Sequence, residues 1–377
     1  MKIIHAGSLN VRSGGPALST WLTIKGLRAN GVEAIPVIPP IAEGDRLIDD
    51  EANPIYTSDR KFGRLAYVPG IDNTLDNAGI ADIYHIQGVW PLSGWQVARF
   101  AQAHKRPYVV TLRGMLYPQA LAQKSFSKKL SMMAYQGTVL RKAAAIQCTC
   151  VEEMEYYRNL GFRNPVAVIP NPIDTDDVID RPIPSKPQLR IGYLGRVHPR
   201  KRIERLIYAF DTHSDALKNA ELVIIGADDK EYESFLREEV MRLGLGNIVF
   251  TGFLSGEEKD RAITSLSFLA VPSDFENFGN IVTEALVRGV PVYSSTGTPW
   301  QSLKEYHCGW WADNSQESIN NVILEMARTP DAERICMGEN GKRLMREQFA
   351  VDILGKKTLG LYSWILDGEP KPDFVYE

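Results

Sequence analysis

Short runs of β-branched and other apolar residues alternate with segments whose apolar positions recur at helical spacing almost throughout the chain. Such runs, bounded by helical segments, read as strands buried on both faces, and the alternation predicts parallel sheets covered by helices on each side. In the first half, strands are expected over 2–6, 32–38, 83–86, 108–112, 144–148 and 166–169, with helices over 17–29, 94–103 and 118–142. The pattern then breaks at Pro170, Pro172, Pro182, Pro184 and Pro187, set among several Asp residues. Proline lacks the N–H that a helix or a central strand needs, so this stretch reads as a boundary. Beyond it the alternation restarts, with strands expected over 189–194, 222–225, 248–250, 268–271 and 290–294 and helices over 203–210, 232–243, 281–288 and 316–327. The pattern predicts a first domain over 1–170, a proline-rich linker over 171–187, a second domain over 188–350 and a tail over 351–377. The tail's helix, over 351–366, is expected to cross back toward the first domain. Two α/β domains leave a cleft, and ligands of such sheets bind at the carboxyl ends of the strands, so the site is expected to face it.

Composition narrows the function. Of 377 residues 44% are apolar, and 43 Lys and Arg against 46 Asp and Glu leave a net charge of −3. That balance excludes a strongly basic nucleic-acid binder and a disordered polyelectrolyte. Cys148, Cys150, Cys308 and Cys336 have neither paired zinc spacing nor the density of a disulfide framework, which points to a reducing, cytoplasmic compartment. The opening strand is too short for a signal peptide, and no apolar run approaches the roughly 18 residues that span a bilayer. The charge is unevenly placed. Residues 83–151 contain no acid and nine bases, so the other 34 bases meet all 46 acids and the rest of the chain carries −12. Within 118–142, Lys124, Lys128, Lys129, Arg141 and Lys142 interleave with Leu121, Phe126, Leu130, Met132, Met133, Tyr135, Val139 and Leu140. A basic amphipathic helix of this kind suits an anionic membrane surface, here the inner face of the cytoplasmic membrane. The other reading of the same residues is a solvated cationic face over an ordinary core helix.

Two motifs carry chemistry. In Gly192-Tyr193-Leu194-Gly195-Arg196-Val197-His198-Pro199-Arg200-Lys201-Arg202 a strand ends at glycine and a dense set of cations precedes the next helix. Glycine lets backbone approach a ligand, and Arg and Lys supply a fork and a point charge for phosphate oxygens. In the run from Pro272 to Leu286, Glu276 precedes a glycine turn and Glu284 lies one turn into the following helix. Two carboxylates so placed accept hydrogen bonds from hydroxyls at two points of one ligand, while the amides around Gly279, Asn280 and Ile281 point at negative charge between them. Sugar hydroxyl, phosphate and ribose hydroxyl satisfy that order. Asp228 and Asp229 read as a helix start rather than a metal site.

The combination resembles glycosyltransferase family 4, retaining enzymes of the GT-B fold, over essentially the whole chain. It rests on Gly14-Gly15 after the first strand, Arg196 with Lys201, the Glu-x7-Glu motif with its Phe278-Gly279, and Gly289-Val290-Pro291-Val292 followed by Gly297-Thr298-Pro299-Trp300. The resemblance implies two Rossmann-like domains facing an interdomain cleft. In it, Arg196 and Lys201 bind the donor diphosphate, Glu276 contacts donor-sugar hydroxyls and Glu284 contacts the ribose. Arg196, Lys201 and Glu276 are thus the expected catalytic set. Donor contacts are also expected from Gly14 and Gly15, from Phe278, Gly279, Asn280 and Ile281, and from Phe253 in the loop against the base. On the acceptor side, His85, Trp90 and Arg113 follow two strands, and Arg113 stands where many members of the family carry a histidine.

The implied reaction is transfer of a sugar from a nucleoside diphosphate to a glycan hydroxyl with retention, through an oxocarbenium-like transition state. Negative charge grows on the leaving diphosphate, where cations and helix dipoles stabilise the transition state more than the ground state. No cofactor and no metal are expected. The expected partners are the nucleotide sugar, a lipid-pyrophosphate-linked acceptor of O-antigen or capsule type and the anionic membrane, with no nucleic acid. Two other readings share these features: a sugar-nucleotide epimerase of the same architecture, which would isomerise donor without acceptor, and a non-catalytic sugar-nucleotide-binding subunit.

Overall fold

Each strand expected from the sequence is formed in the computed structural model, which describes residues 1–377 except Asp177, Pro187, Asp228 and the side chain of Arg64. In chain order the strands are β1 (Lys2–Ala6), β2 (Glu33–Ile38), β3 (Ile55–Tyr56), β4 (Ile83–Gln87), β5 (Tyr108–Thr111), β6 (Ala145–Cys148) and β7 (Val166–Val168). There follow β8 (Arg190–Leu194), β9 (Glu221–Ile225), β10 (Ile248–Gly252), β11 (Phe268–Val271), β12 (Val292–Ser295), β13 (Gly309–Ala312) and β14 (Val375–Tyr376). The chain forms two units, one of Met1–Asp174 with Phe349–Glu377 and one of Thr175–Gln348.

Among the described residues, the first unit's sheet has the order β14-β7-β6-β5-β4-β1-β2-β3 and the second unit's β10-β9-β8-β11-β12-β13. All pairs are parallel except β14 with β7. Both faces of the first sheet are buried, which is why its strands read as continuous apolar runs. Ile3, Ile83, Val109 and Ala145 face one core, and Ile4, Tyr84, Val110 and Ile146 the other. In the second unit the helix Ile203–Thr212 lays Ile203, Leu206, Ile207 and Phe210 into the core, each contributing about 1.5–3 kcal/mol by burial.

The helix Val351–Asp367 belongs to the first unit and packs along Gly15–Ala29. Their backbones meet where neither has a side chain: a Cβ on Gly26 would stand 2.5 Å from the carbonyl oxygen of Val351, and one on Gly355 2.6 Å from that of Gly26.

The single helix expected over 118–142 is not formed. Pro118–Ala122 ends where Lys124 takes φ 52°, Ser125–Ser131 starts afresh, and a π turn at Met132–Gln136 precedes Gly137–Lys142. The break and the π turn rotate the apolar residues out of one stripe. Leu121 and Met132 pack on the core, while Phe126, Leu130 and Met133 are 82%, 58% and 84% exposed.

Candidate active site

In the second sheet the chain runs outward from β8 to β9 and returns to β8's other side with β11. Loops leaving β8 and β11 therefore diverge, and the crevice at such a switch point is where open α/β sheets take ligands. The loop after β8 crosses the loop after β9 backbone to backbone: Gly226 has φ 142°, and a Cβ there would lie 1.8 Å from the carbonyl oxygen of Gly195. Tyr193 Oη then donates to the Arg196 carbonyl oxygen (2.7 Å), and His198 Nδ1 accepts from the Arg200 amide (3.3 Å) at the head of the short turn Pro199–Lys201. From β11 the Asp274 amide donates to the Arg200 carbonyl oxygen (2.9 Å), and Arg202 Nε donates to both Asp274 carboxylate oxygens (2.9 and 2.8 Å).

That stitching brings Lys201 to Glu276. The Lys201 ammonium donates to Glu276 Oε1, which also accepts from Ser273 Oγ (2.8 Å). The two side chains are only 9% and 12% exposed. Burial pulls the Lys201 pKa down from its ordinary value, and the Glu276 carboxylate opposes that shift. Glu276 is fixed in turn by its amide's bond to the Gly297 carbonyl oxygen (2.9 Å). Gly279 caps the helix Asn280–Leu286 at φ 81°, leaving the amides of the first turn at its mouth. Arg196 is exposed on the cationic loop, and Phe253, after β10, is 74% exposed.

Two features of this crevice depart from the sequence reading or escape it. The ring of Phe278 is buried and lies 5.1 Å from that of Trp300, whose indole N–H holds the Phe278 carbonyl oxygen, so Phe278 shapes the turn and offers a ligand no side-chain surface. Lys259, on the helix Gly256–Ser265, places its ammonium 2.6 Å from Glu284 Oε2. Nothing in the local sequence of Lys259 marks that role. Asp229 caps the helix Lys230–Leu243 through the Glu231 and Tyr232 amides, and its neighbour Asp228 lies outside the described residues.

The first sheet has the same reversal at β1, between β2 and β4. A cavity of about 290 Å³ opens there, with Gly7 and Ser8 after β1, Gln87 at the end of β4 and Gly88 after it in its wall, beside Ser13 and Pro16 that flank Gly14 and Gly15. Arg113, just past β5 at φ 59°, also lines it. Its guanidinium donates through Nη1 to Ser19 Oγ and Asn171 Oδ1 (3.0 Å), and through Nη2 to Thr20 Oγ1 (2.9 Å) and Gln87 Oε1 (2.6 Å). Burial lowers its pKa to about 10 despite the charge of Glu153. Glu153 is itself buried, accepts from the Gly114 and Thr149 amides, and has a pKa raised by burial.

Because Arg113 only donates, Gln87 Oε1 is the acceptor of that pair and Gln87 Nε2 donates to His5 Nδ1 (3.2 Å). His5 Nε2–H then faces Tyr362 Oη (3.5 Å), Tyr362 donates to His85 Nδ1 (2.6 Å), and His85 Nε2–H donates to Thr111 Oγ1 (2.6 Å). Both imidazoles are neutral in this chain of bonds, and burial holds the His5 pKa down to about 3 and that of His85 well below its ordinary value. His85 is thus removed from the acceptor side: with no exposed surface and both nitrogens engaged, it fastens the closing helix to the sheet. Trp90 is half-buried at φ 86°, its carbonyl accepting from Tyr135 and its ring under the Lys128 ammonium at 5.6 Å.

A family model described as "Glycosyl transferases group 1" matches residues 176–344, and one described as "Glycosyl transferase 4-like domain" matches residues 14–172. The chain belongs to the GT-B glycosyltransferases of the family 4 type. It is 28% identical over 179 residues to an uncharacterized glycosyltransferase of Methanocaldococcus jannaschii, covering 46% of this chain and 44% of that protein. It is 24% identical over 160 residues to the O-antigen chain mannosyltransferase C of Escherichia coli, covering 41% and 43%. The chain spans 22% to 57% of the length of the first three curated relatives it matches. In fold it is similar to the Anabaena protein HepE in complex with UDP and glucose, with a TM-score of 0.75 at 18% identity over 96% of this chain and 99% of that one.

Within this GT-B glycosyltransferase, Lys201, Glu276 and Gly279 gather at the switch point of the second unit, with Arg196 on the same loop as Lys201. Arg113, Gly14 and Gly15 belong to the first unit's switch point. Among the described residues no group of three or more His, Cys, Asp or Glu is arranged to hold a metal ion, and no helix is long and apolar enough to cross a membrane.

Proposed function

We propose that this chain is a retaining glycosyltransferase that moves a sugar from a nucleoside diphosphate to a hydroxyl of a glycan acceptor, with the donor held by the second unit. The observation that carries the proposal is the buried meeting of Lys201, Glu276 and Ser273 beside the Gly279-capped helix. A cation and a carboxylate side by side at a helix mouth suit a ligand that alternates phosphate with hydroxyls. Arg196 and Lys201 take the diphosphate, Glu276 the sugar hydroxyls, Glu284 the ribose and exposed Phe253 the base. As the glycosidic bond lengthens, charge grows on the leaving phosphate, and these fixed cations and amides stabilise it without needing a metal. We assign no carboxylate nucleophile: Glu276 is committed to Lys201 and Ser273, so the front-face route is favoured, with the leaving phosphate taking the acceptor's proton.

Polysaccharide building is supported by the E. coli relative named as an O-antigen chain mannosyltransferase. Exposed Phe126, Leu130 and Met133 among Lys124 and Lys129 support peripheral docking on an anionic membrane, where a lipid-pyrophosphate-linked acceptor resides. The test is a thermal-shift screen of UDP-, GDP- and ADP-sugars, followed by transfer to a glycan acceptor with the donor that binds. A donor-dependent rise in melting temperature, with turnover reduced by orders of magnitude in Lys201→Ala and Glu276→Ala, is the expected result. Near-normal turnover in either variant overturns the site, and isomerisation of donor without acceptor overturns the reaction.

A further inference from the structure

Both glutamates of the Glu-x7-Glu motif face a lysine, but the two pairs are built differently. Lys201 and Glu276 are nearly closed to solvent, and Ser273 takes a further bond of that carboxylate. Lys259 stands 2.6 Å from Glu284 Oε2, with the lysine side chain 31% and the glutamate 12% exposed. Among the described residues the Lys259 ammonium meets no other acceptor and the Glu284 carboxylate no other donor. An ammonium carries three donors and a carboxylate two accepting oxygens, so most of the pair's hydrogen-bonding capacity is unspent. The next residue shows what a structural pair looks like at the same junction. Asp260 accepts from Arg288 Nε (2.8 Å) and Arg181 Nη1 (2.9 Å), and Arg288 Nη1 donates on to the Glu284 carbonyl oxygen (2.8 Å). Those bonds tie the helix Gly256–Ser265 to Asn280–Leu286 without help from Lys259.

The unspent groups match two neighbouring hydroxyls. A hydroxyl both donates and accepts, so the carboxylate takes the proton of one while the ammonium donates to the oxygen of the other. A phosphate at this place would meet the Glu284 carboxylate as closely as the Lys259 cation, and like charge disfavours it. Glu284 lies four residues, about 6 Å along the axis, from the helix's first residue, which leaves the helix mouth to other parts of the ligand. We infer that Lys259 is a specificity-determining residue for the donor nucleotide, forming with Glu284 a clamp for the vicinal hydroxyls of its ribose. This deepens the transferase reading and rests on its placing of the ribose at Glu284. In that clamp Lys259 also fixes one oxygen of Glu284, so that the other is aimed at the sugar.

The test uses the full chain and calorimetry with UDP, GDP and ADP, followed by the 2′-deoxy and 3′-deoxy forms of whichever binds. Hydrogen bonds to charged groups predict that the parent chain binds the ribose form about tenfold or more tighter than each deoxy form. Lys259→Met keeps the length of the side chain without its charge, and should reduce at least one of the two ratios to about threefold or less. Lys259→Gln is the second variant if Lys259→Met does not fold, as judged by the melting curve. Asp260→Asn loosens the same helix junction, so it should lower the melting temperature yet leave both ratios within about twofold of the parent. Ratios near one in the parent, unchanged ratios in a folded Lys259 variant, or an equal loss of discrimination in Asp260→Asn overturns the inference. Failure of the transferase reading is distinct: a chain that binds none of the three nucleoside diphosphates loses its donor site and the clamp with it, whereas binding without discrimination removes the clamp alone.

Discussion

Glu276→Gln isolates the Lys201 pair. The substitution keeps the shape of the side chain and an oxygen for Ser273 and Lys201, but it removes the only carboxylate within ion-pairing distance of Lys201 among the described residues. With the lysine side chain 9% exposed, its charge is left in a largely desolvated place. Breaking a buried pair from one side costs about 3–5 kcal/mol, and the retained amide oxygen puts this case near 3. For a cooperative unit of this size that corresponds to a fall of about 6–12 °C in melting temperature. The double variant Lys201→Met with Glu276→Gln removes the stranded charge as well and should recover most of the loss. Urea denaturation of the three chains, with the second unit's unfolding followed by its tryptophans, gives the free energies. If Lys201 takes the donor phosphate as proposed, a nucleoside diphosphate supplies a further readout, because an ammonium released from its carboxylate would bind phosphate without competition. The ligand-induced rise in melting temperature should therefore be at least as large in Glu276→Gln as in the parent chain. A single variant within about 1 kcal/mol of the parent, or a double variant as unstable as the single, would refute the account.

Other consequences are equally measurable. His5 titrates near 3 in the folded chain against 6.5 when exposed, so the unfolded state binds more protons between those values and stability falls as pH drops through that window. About 2 kcal/mol should be gone by pH 5 from His5 alone, with His85 adding in the same direction. Denaturation series at pH 7, 6 and 5 test this, and a flat profile would contradict neutral burial. Gly226→Ala drives a methyl into the Gly195 carbonyl oxygen, from 1.8 Å, at a φ that L residues rarely adopt, and should cost more than about 3 kcal/mol or abolish soluble expression. Parent-like melting would refute that crossing. Phe126→Ser with Met133→Ser should leave melting unchanged, since both side chains lie in water, yet remove flotation with anionic vesicles. Unchanged flotation would sink the membrane proposal.

Much of this architecture was legible because parallel strands buried on both faces are written as unbroken β-branched runs; β1 and β11 have the bounds the pattern predicts. What escaped was short or weakly patterned. β3 and β14 are two residues each, and β13 is Gly-Trp-Trp-Ala on a sheet edge, half-buried throughout and without a branched residue. The helix Asp331–Leu344 buries Gly338 and Gly341 rather than a stripe of large apolar residues. At the site, the motifs revealed Glu276, Glu284 and Lys201, but not that Lys201 pairs with Glu276, nor that Lys259 pairs with Glu284. Lys201 stands 75 residues before Glu276, and only the adjacency of β8 and β11 brings them together. His85 looked like a ligand at a strand end because its partner Tyr362 is 277 residues away.

The first unit is assembled from both ends of this sequence. Its sheet edge at β7 is covered by β14, and its helix Gly15–Ala29 by Val351–Asp367, segments that the ribosome makes only after all of Thr175–Gln348. During synthesis the second unit has every residue it needs while the first still exposes the strand edge and the apolar face that residues 349–377 will cover. The nascent first half is therefore the part most open to association through its strand edge and apolar face. A premature stop after Gln348 would spare the second unit and leave the first prone to aggregation.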